Sequence, residues 1–215
     1  MKRREFTSLS VAAAGSLLLP AAARAQQRIP VEGQHYVKVS PRQPTLDPKR
    51  IDVVEFFWYG CPHCHSFEPA LDAWQKKLPA DVVFRRMPVA FREVPFVLHQ
   101  KLYFAIESLG LVEQLHRRVF YAMHVERNRL ATPEAIGEFV AKNGVDPVKF
   151  LDVMNSFGVQ SKARQATALS AGYRVDGTPT LGIDGRWFTS GSLEGSNEGA
   201  LQVADYLIAL ARKAA

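Results

Sequence analysis

The chain has 215 residues, 47% of them hydrophobic, which is the make-up of a globular protein with room for one domain and an insertion, not of a disordered chain. No apolar run reaches the ~18–20 residues of a membrane span. The formal charge of +6 falls to +3 once residues 1–25 are set aside, and the basic residues are scattered, so nucleic-acid binding is not expected.

Residues 1–25 read as an export signal. Met1-Lys2-Arg3-Arg4 is a positive start, Leu9 to Ala23 is an apolar, Ala-rich stretch, and Ala23-Arg24-Ala25 fits a small-residue cleavage site that leaves Gln26 as the new N-terminus. The alternative is an ordinary N-terminal helix. Arg3-Arg4-Glu5-Phe6 also fits a twin-arginine signal, so the Sec and twin-arginine routes both stay open, and either leads out of the cytoplasm.

His35 to Val39 alternates like an edge strand, and three prolines make the next stretch irregular. Ile51 to Tyr59 is β-branched and aromatic with few polar interruptions, which predicts a strand buried on both faces and ended by Gly60. A helix follows at once: Pro62 suits a first turn, and Phe67, Leu71, Trp74 and Leu78 form one face, with Pro69 inside it. Asp81 to Val89 predicts a second central strand.

From Phe96 to about Tyr173 the periodicity is helical. Gly110 caps one helix, Thr132-Pro133 and Asp146-Pro147 open two others, and Gly144 and Gly158 are expected to close them. Thr180–Ile183 and Arg186–Thr189 flank Asp184-Gly185, a hairpin signal, and Ser196 to Ala214 predicts a last helix. Arg85-Arg86 and Arg117-Arg118 are the densest basic pairs and read as solvated surface.

Chemistry concentrates at Cys61-Pro62-His63-Cys64. These are the only cysteines, and a disulfide closing so small a loop stabilises little, so a structural role is a poor account of them. A C-x-x-C between a strand and a helix is a redox arrangement. The helix N-terminus offers unpaired N–H groups and partial positive charge, which favour a thiolate at Cys61, while Cys64, one turn in, can attack back. The dipole contributes at most ~2 kcal/mol, so hydrogen bonds to the sulfur are also needed, and a protonated His63 adds charge. The alternative is a zinc half-site using Cys61, Cys64, His63 and His65. Structural zinc draws ligand pairs from separate segments, and no second cysteine pair exists. Gly177-Thr178-Pro179-Thr180 opens the returning strand, where a proline marks an unusual backbone site and a cis peptide would turn backbone groups toward the cysteines.

On Glu55-Phe56-Phe57, Cys61-Pro62-His63-Cys64, Phe67-Glu68 and the helical block between two halves of an α/β unit, the chain resembles the thioredoxin superfamily and, within it, the DsbA family of bacterial periplasmic disulfide oxidoreductases. The resemblance covers essentially the whole mature chain. It implies an α/β thioredoxin fold, residues 26–95 and 174–215, with an inserted all-helical domain, residues 96–173. It implies Cys61 as attacking thiolate, Cys64 as resolving thiol, Pro179 as a cis proline beside them, and Glu55 as a buried acid assisting proton transfer, with Glu68 in the same cluster. Glu55 could instead be a strand carboxylate facing solvent. Pro62, His63 and Thr178 would tune the redox pair and line the substrate groove.

The function so implied is a periplasmic oxidase that donates its disulfide to newly exported cysteine-containing proteins and is reoxidised by a DsbB-like membrane oxidase. No cofactor or metal is expected beyond the cysteine pair, and a monomer is. Thr178 departs from the family's usual Val and looks like the disulfide isomerases, so a reductase or isomerase on the same fold is the alternative. Those isomerases carry an N-terminal dimerisation domain, for which the few residues between Gln26 and His35 leave no room. A non-catalytic chaperone or binding module is the third reading.

Overall fold

The computed structural model describes residues 29–92 and 94–214; the expected export segment and Gln26 lie outside the described residues. Five strands form one sheet: β1 (Val37–Lys38), β2 (Ile51–Phe57), β3 (Val82–Pro88), β4 (Thr180–Ile183) and β5 (Trp187–Ser190). Helix α1 (Pro62–Gln75) joins β2 to β3. Between β3 and β4 come α2 (Phe96–Ser108), α3 (Val112–His124), α4 (Pro133–Lys142), α5 (Pro147–Met154) and α6 (Phe157–Gly172). Short α7 (Gly191–Glu194) and α8 (Asn197–Lys213) end the chain.

The sheet order is β1-β5-β4-β2-β3, with β2 and β3 parallel and the other pairs antiparallel. All seven residues of β2 are buried, as its run of β-branched and aromatic residues requires. Alternate side chains point to opposite faces. Ile51 and Val53 pack with Phe67 and Leu71 of α1 and with Leu201, Leu207 and Ile208 of α8, whereas Val54 and Phe56 pack with the core of the helical block. Glu55 shares the parity of Val53 and therefore points to the α1 side.

The caps explain most helix boundaries. Thr132 Oγ1 accepts the Ala135 N–H at 3.2 Å, and Asp146 accepts from Val148 and Lys149 at 2.9 and 3.2 Å. Gly144, at φ +80°, closes α4 as expected. Gly158 does not close α5. Asn155 ends that helix, and Ser156, accepting the Val159 N–H, starts α6 so that Gly158 lies in its first turn. Leu78 lies beyond α1, which tightens into i→i+3 bonds at Trp74–Lys77 and Gln75–Leu78. Arg186, expected in a strand, stands in the hairpin turn. Asp184 and Gly185 take φ 53° and 67°, and a Cβ on Gly185 would sit 2.1 Å from the Gln43 carbonyl oxygen. Helix α7 carried no sequence signal.

Candidate active site

Cys61 is the N-cap of α1, with extended backbone (φ −86°, ψ 116°), and Pro62 takes the first helical position. The Cys61 N–H donates to the Trp58 carbonyl at 3.0 Å, closing the turn that leads out of β2. The Cys61 thiol donates to the main-chain oxygen of Thr178 at 3.2 Å, across 117 residues of sequence, and the Thr178–Pro179 peptide is cis. The opening of β4 thus lies directly against the first cysteine. Pro62 and His63 are exposed at the mouth of the site, while both cysteines are buried as free thiols, Cys64 completely.

The two sulfurs have opposite acidities. Cys61 is lowered to about 5, first by the hydrogen bond from Cys64; burial opposes this, and the Thr178 side chain and the main chain of Cys64 and His63 add to it. Direct hydrogen bonds at a helix N-terminus are the source of the effect. Cys64 is pushed well above the ordinary thiol range, first by burial and then by its hydrogen bond to Cys61.

Beneath Cys64 lies a buried cluster of charged side chains. Glu55 and Arg86 stand opposite each other in the β2–β3 register, with Arg86 Nε 3.2 Å from Glu55 Oε2. Glu55 is fully buried, and neither carboxyl oxygen has a hydrogen-bond partner within the protein. Burial, followed by the negative charge of Glu68, raises it to about 8, with Arg86 opposing. Arg86 Nη2 donates to Glu68 Oε2 at 3.1 Å and to Asp72 Oδ1 at 2.9 Å. His116 Nε2 lies 3.2 Å from Glu68 Oε1, and its Nδ1 lies 2.9 Å from the Tyr59 hydroxyl.

The reading of Arg85-Arg86 as solvated surface is overturned. Arg86 is 8% exposed and holds three carboxylates, and Arg85 makes a double hydrogen bond to buried Asp52. Asp72, His116 and Tyr59 carried no sequence signal either. Aligning the expected strand starts, Ile51 and Asp81, would have paired Glu55 with Arg85; the observed register, Ile51 opposite Val82, brings Arg86 there instead, and nothing local would have exposed His116.

The helical block grips the turn before Cys61. Trp58 stacks on Phe96 at 4.2 Å and donates to His99 Nδ1 at 3.0 Å, leaving His99 Nε2–H to the carbonyls of Arg129 and Leu130. The Trp58 ring so closely covers Gly60 that a Cβ there would fall 2.3 Å from it. His124 Nε2 donates to the Tyr59 carbonyl at 2.8 Å, and its ring lies parallel to that of His65 at 5.1 Å. Among the described residues, no three of His, Cys, Asp or Glu gather as a metal-holding group. A thiol that ionises readily at the mouth, a thiol that resists ionisation behind it and a buried acid below are together suited to thiol–disulfide exchange.

The model of the DSBA-like thioredoxin domain matches residues 52–197. The thiol:disulfide interchange protein DsbA of Burkholderia cepacia is 41% identical over 187 residues, 86% of this chain and 88% of that one. Its counterpart in Pseudomonas aeruginosa is 44% identical over 184 residues, 85% and 86% of the two chains. The crystal structure of Pseudomonas aeruginosa DsbA superposes with a TM-score of 0.82 at 41% identity, covering 86% of this chain and 95% of that one.

Proposed function

Because the chain belongs to the DSBA-like thioredoxin domain family, and is a thiol:disulfide interchange enzyme of thioredoxin fold, we propose that it works in the oxidising direction and donates a Cys61–Cys64 disulfide to newly exported proteins. A substrate thiolate attacks Cys61 Sγ. The Cys61–Cys64 bond breaks, a substrate–Cys61 disulfide forms, and Cys64 leaves as a thiolate that takes a proton from Glu55. A second substrate thiolate attacks the substrate sulfur of that mixed disulfide and expels Cys61 as a thiolate. The substrate loses two electrons, and the enzyme is left reduced.

The observation that carries this direction is the hydrogen bonding that lowers Cys61 to about 5. A stabilised thiolate is a good leaving group and stabilises the reduced enzyme. Each pH unit of such stabilisation below ambient pH is worth about 30 mV toward the oxidising side. The cysteine pair carries the electrons, so no other cofactor is needed within this chemistry. A DsbB-like quinone-linked membrane oxidase restores the disulfide.

The same reading places the enzyme in the periplasm as a monomer, exported through residues 1–25 by the Sec or twin-arginine route. It divides the mature chain into a thioredoxin-like domain, 26–95 and 174–215, and an inserted helical domain, 96–173. Pro62, His63, Thr178 and Pro179 line the mouth that substrate enters.

Equilibration of the cysteine pair with glutathione tests the direction. A potential well above that of thioredoxin is expected; one near it returns the protein to the reductase or isomerase class. Oxidation of a reduced peptide should stop in Cys61→Ser, and persistence of that activity would remove the assignment.

A further inference from the structure

The cluster beneath Cys64 is tied to the helical block through one imidazole. His116, on α3, is fully buried among Phe57, Tyr103 and Phe120, whose rings stand edge-on or tilted to it at 5.2, 5.8 and 5.3 Å. A carboxylate only accepts hydrogen bonds, so His116 Nε2 carries the proton facing Glu68 Oε1, and Nδ1 accepts from the Tyr59 hydroxyl. Both ring nitrogens are satisfied in the neutral form, and burial favours that form.

Glu68 thereby receives one N–H from His116 and one from Arg86. Glu55 receives none, although Arg86 Nε is 3.2 Å away. The groups facing Glu55 are Cys64, Glu68 and Asp72 from α1, Arg86 from β3, Tyr59 from the turn, Tyr103 from α2 and, through Glu68, His116 from α3. Arg86 and Arg117, the latter exposed and 3.8 Å from Asp72, supply two positive charges to three carboxylates, so one of the carboxylates keeps its proton. The two with donors stay ionised; the one without is the acid.

We propose that His116 is a positioning residue for the redox reaction: reaching in from the helical block, it holds Glu68 ionised beside Glu55, so that Glu55 carries the proton exchanged with Cys64. The proposal rests on the reading of Glu55 as the proton carrier. Burial alone would raise Glu68, yet the His116 hydrogen bond and charges around it bring it below the usual carboxylate range. Glu55, facing that anion, is raised.

The test follows the Glu55 side-chain carboxyl carbon by NMR across a pH titration of the reduced protein. In His116→Leu the Glu55 midpoint is expected to fall by about one pH unit, a tenfold loss of proton affinity. His116→Gln, which keeps an N–H toward Glu68, should bring it back toward the unmodified value. An unmoved midpoint in His116→Leu, or an equal fall in both variants, overturns the proposal. Glu55→Gln separates the two layers: if the pH profile of peptide-dithiol oxidation is unchanged, the proton-carrier reading falls and the proposal with it. If that profile changes while the His116→Leu midpoint stays put, only the proposal falls. Should His116→Leu not fold, nitrogen NMR of the unmodified protein decides. A neutral Nε2–H ring between about pH 5 and 8 supports the proposal, and an imidazolium or an Nδ1–H ring overturns it.

Discussion

The mouth of the site and its floor treat one residue type in opposite ways. At the mouth, Cys61 meets the Cys64 thiol, Thr178 and the open end of α1, and it ionises easily. At the floor, Cys64 meets buried apolar side chains and a carboxyl group, and it holds its proton. Burial acts on both sulfurs in the same direction. The difference lies in the donors, which reach Cys61 from two distant segments of the chain and leave Cys64 to desolvation. Reactivity here is set by which sulfur is given hydrogen bonds, and not by depth alone.

The hardest blow to that contrast is Cys64→Ala. Turnover should be lost, and the thiolate absorbance of Cys61 near 240 nm should titrate at a distinctly higher pH, because the largest contribution to its acidity is gone. An unchanged midpoint would mean that the helix terminus alone sets it. Next in size is the floor. Arg86→Leu leaves Glu55 and Glu68 without their buried cation and Asp72 with the exposed Arg117 alone, and should cost about 3–5 kcal/mol at pH 7 by denaturant unfolding, and less at pH 4, where the carboxylates take up protons.

The mouth also has a pH signature in stability. Cys61 is more acidic folded than unfolded, so its thiolate stabilises the reduced protein fully above the unfolded thiol value near 9, and that contribution fades as pH falls through about 5. Between pH 7 and pH 4 the reduced form should lose up to ~3 kcal/mol relative to the oxidised form, reduced by solvent screening at the open side of the site. A constant difference between the two forms would refute it. Smallest is Thr178→Val, which removes the hydroxyl and keeps the carbonyl. The Cys61 midpoint should rise by less than about one pH unit, while the floor, read from the Glu55 titration, stays where it was.

Much of the fold was legible because its signals are local, although β3, expected as a second central strand, lies at the edge of the sheet. The unbroken β2 run, Asp184-Gly185, and the capped starts at Thr132-Pro133 and Asp146-Pro147 each state their structure within a few residues. Gly158 misled because a glycine near a helix end reads as a stop, while Ser156 two residues earlier is the stronger start. Within the site, Cys61 and Cys64 declared themselves by spacing, and Glu55 by its resemblance. Arg86 was misread as a surface charge because burial is a property of what packs over a strand, in this case α1.

The sequence by itself determined that a redox-capable cysteine pair sits between a strand and the start of a helix, since spacing, Pro62 and the apolar run before them are all local. Only the tertiary structure decided how each sulfur behaves. Thr178 comes 117 residues after Cys61 in the chain and His116 comes 48 after Glu68, so their hydrogen bonds exist only once the sheet closes and α3 packs on the turn. The donors around Cys61 lower it and the burial of Glu55 raises it, because acidity follows the donors and the solvent a group meets in space.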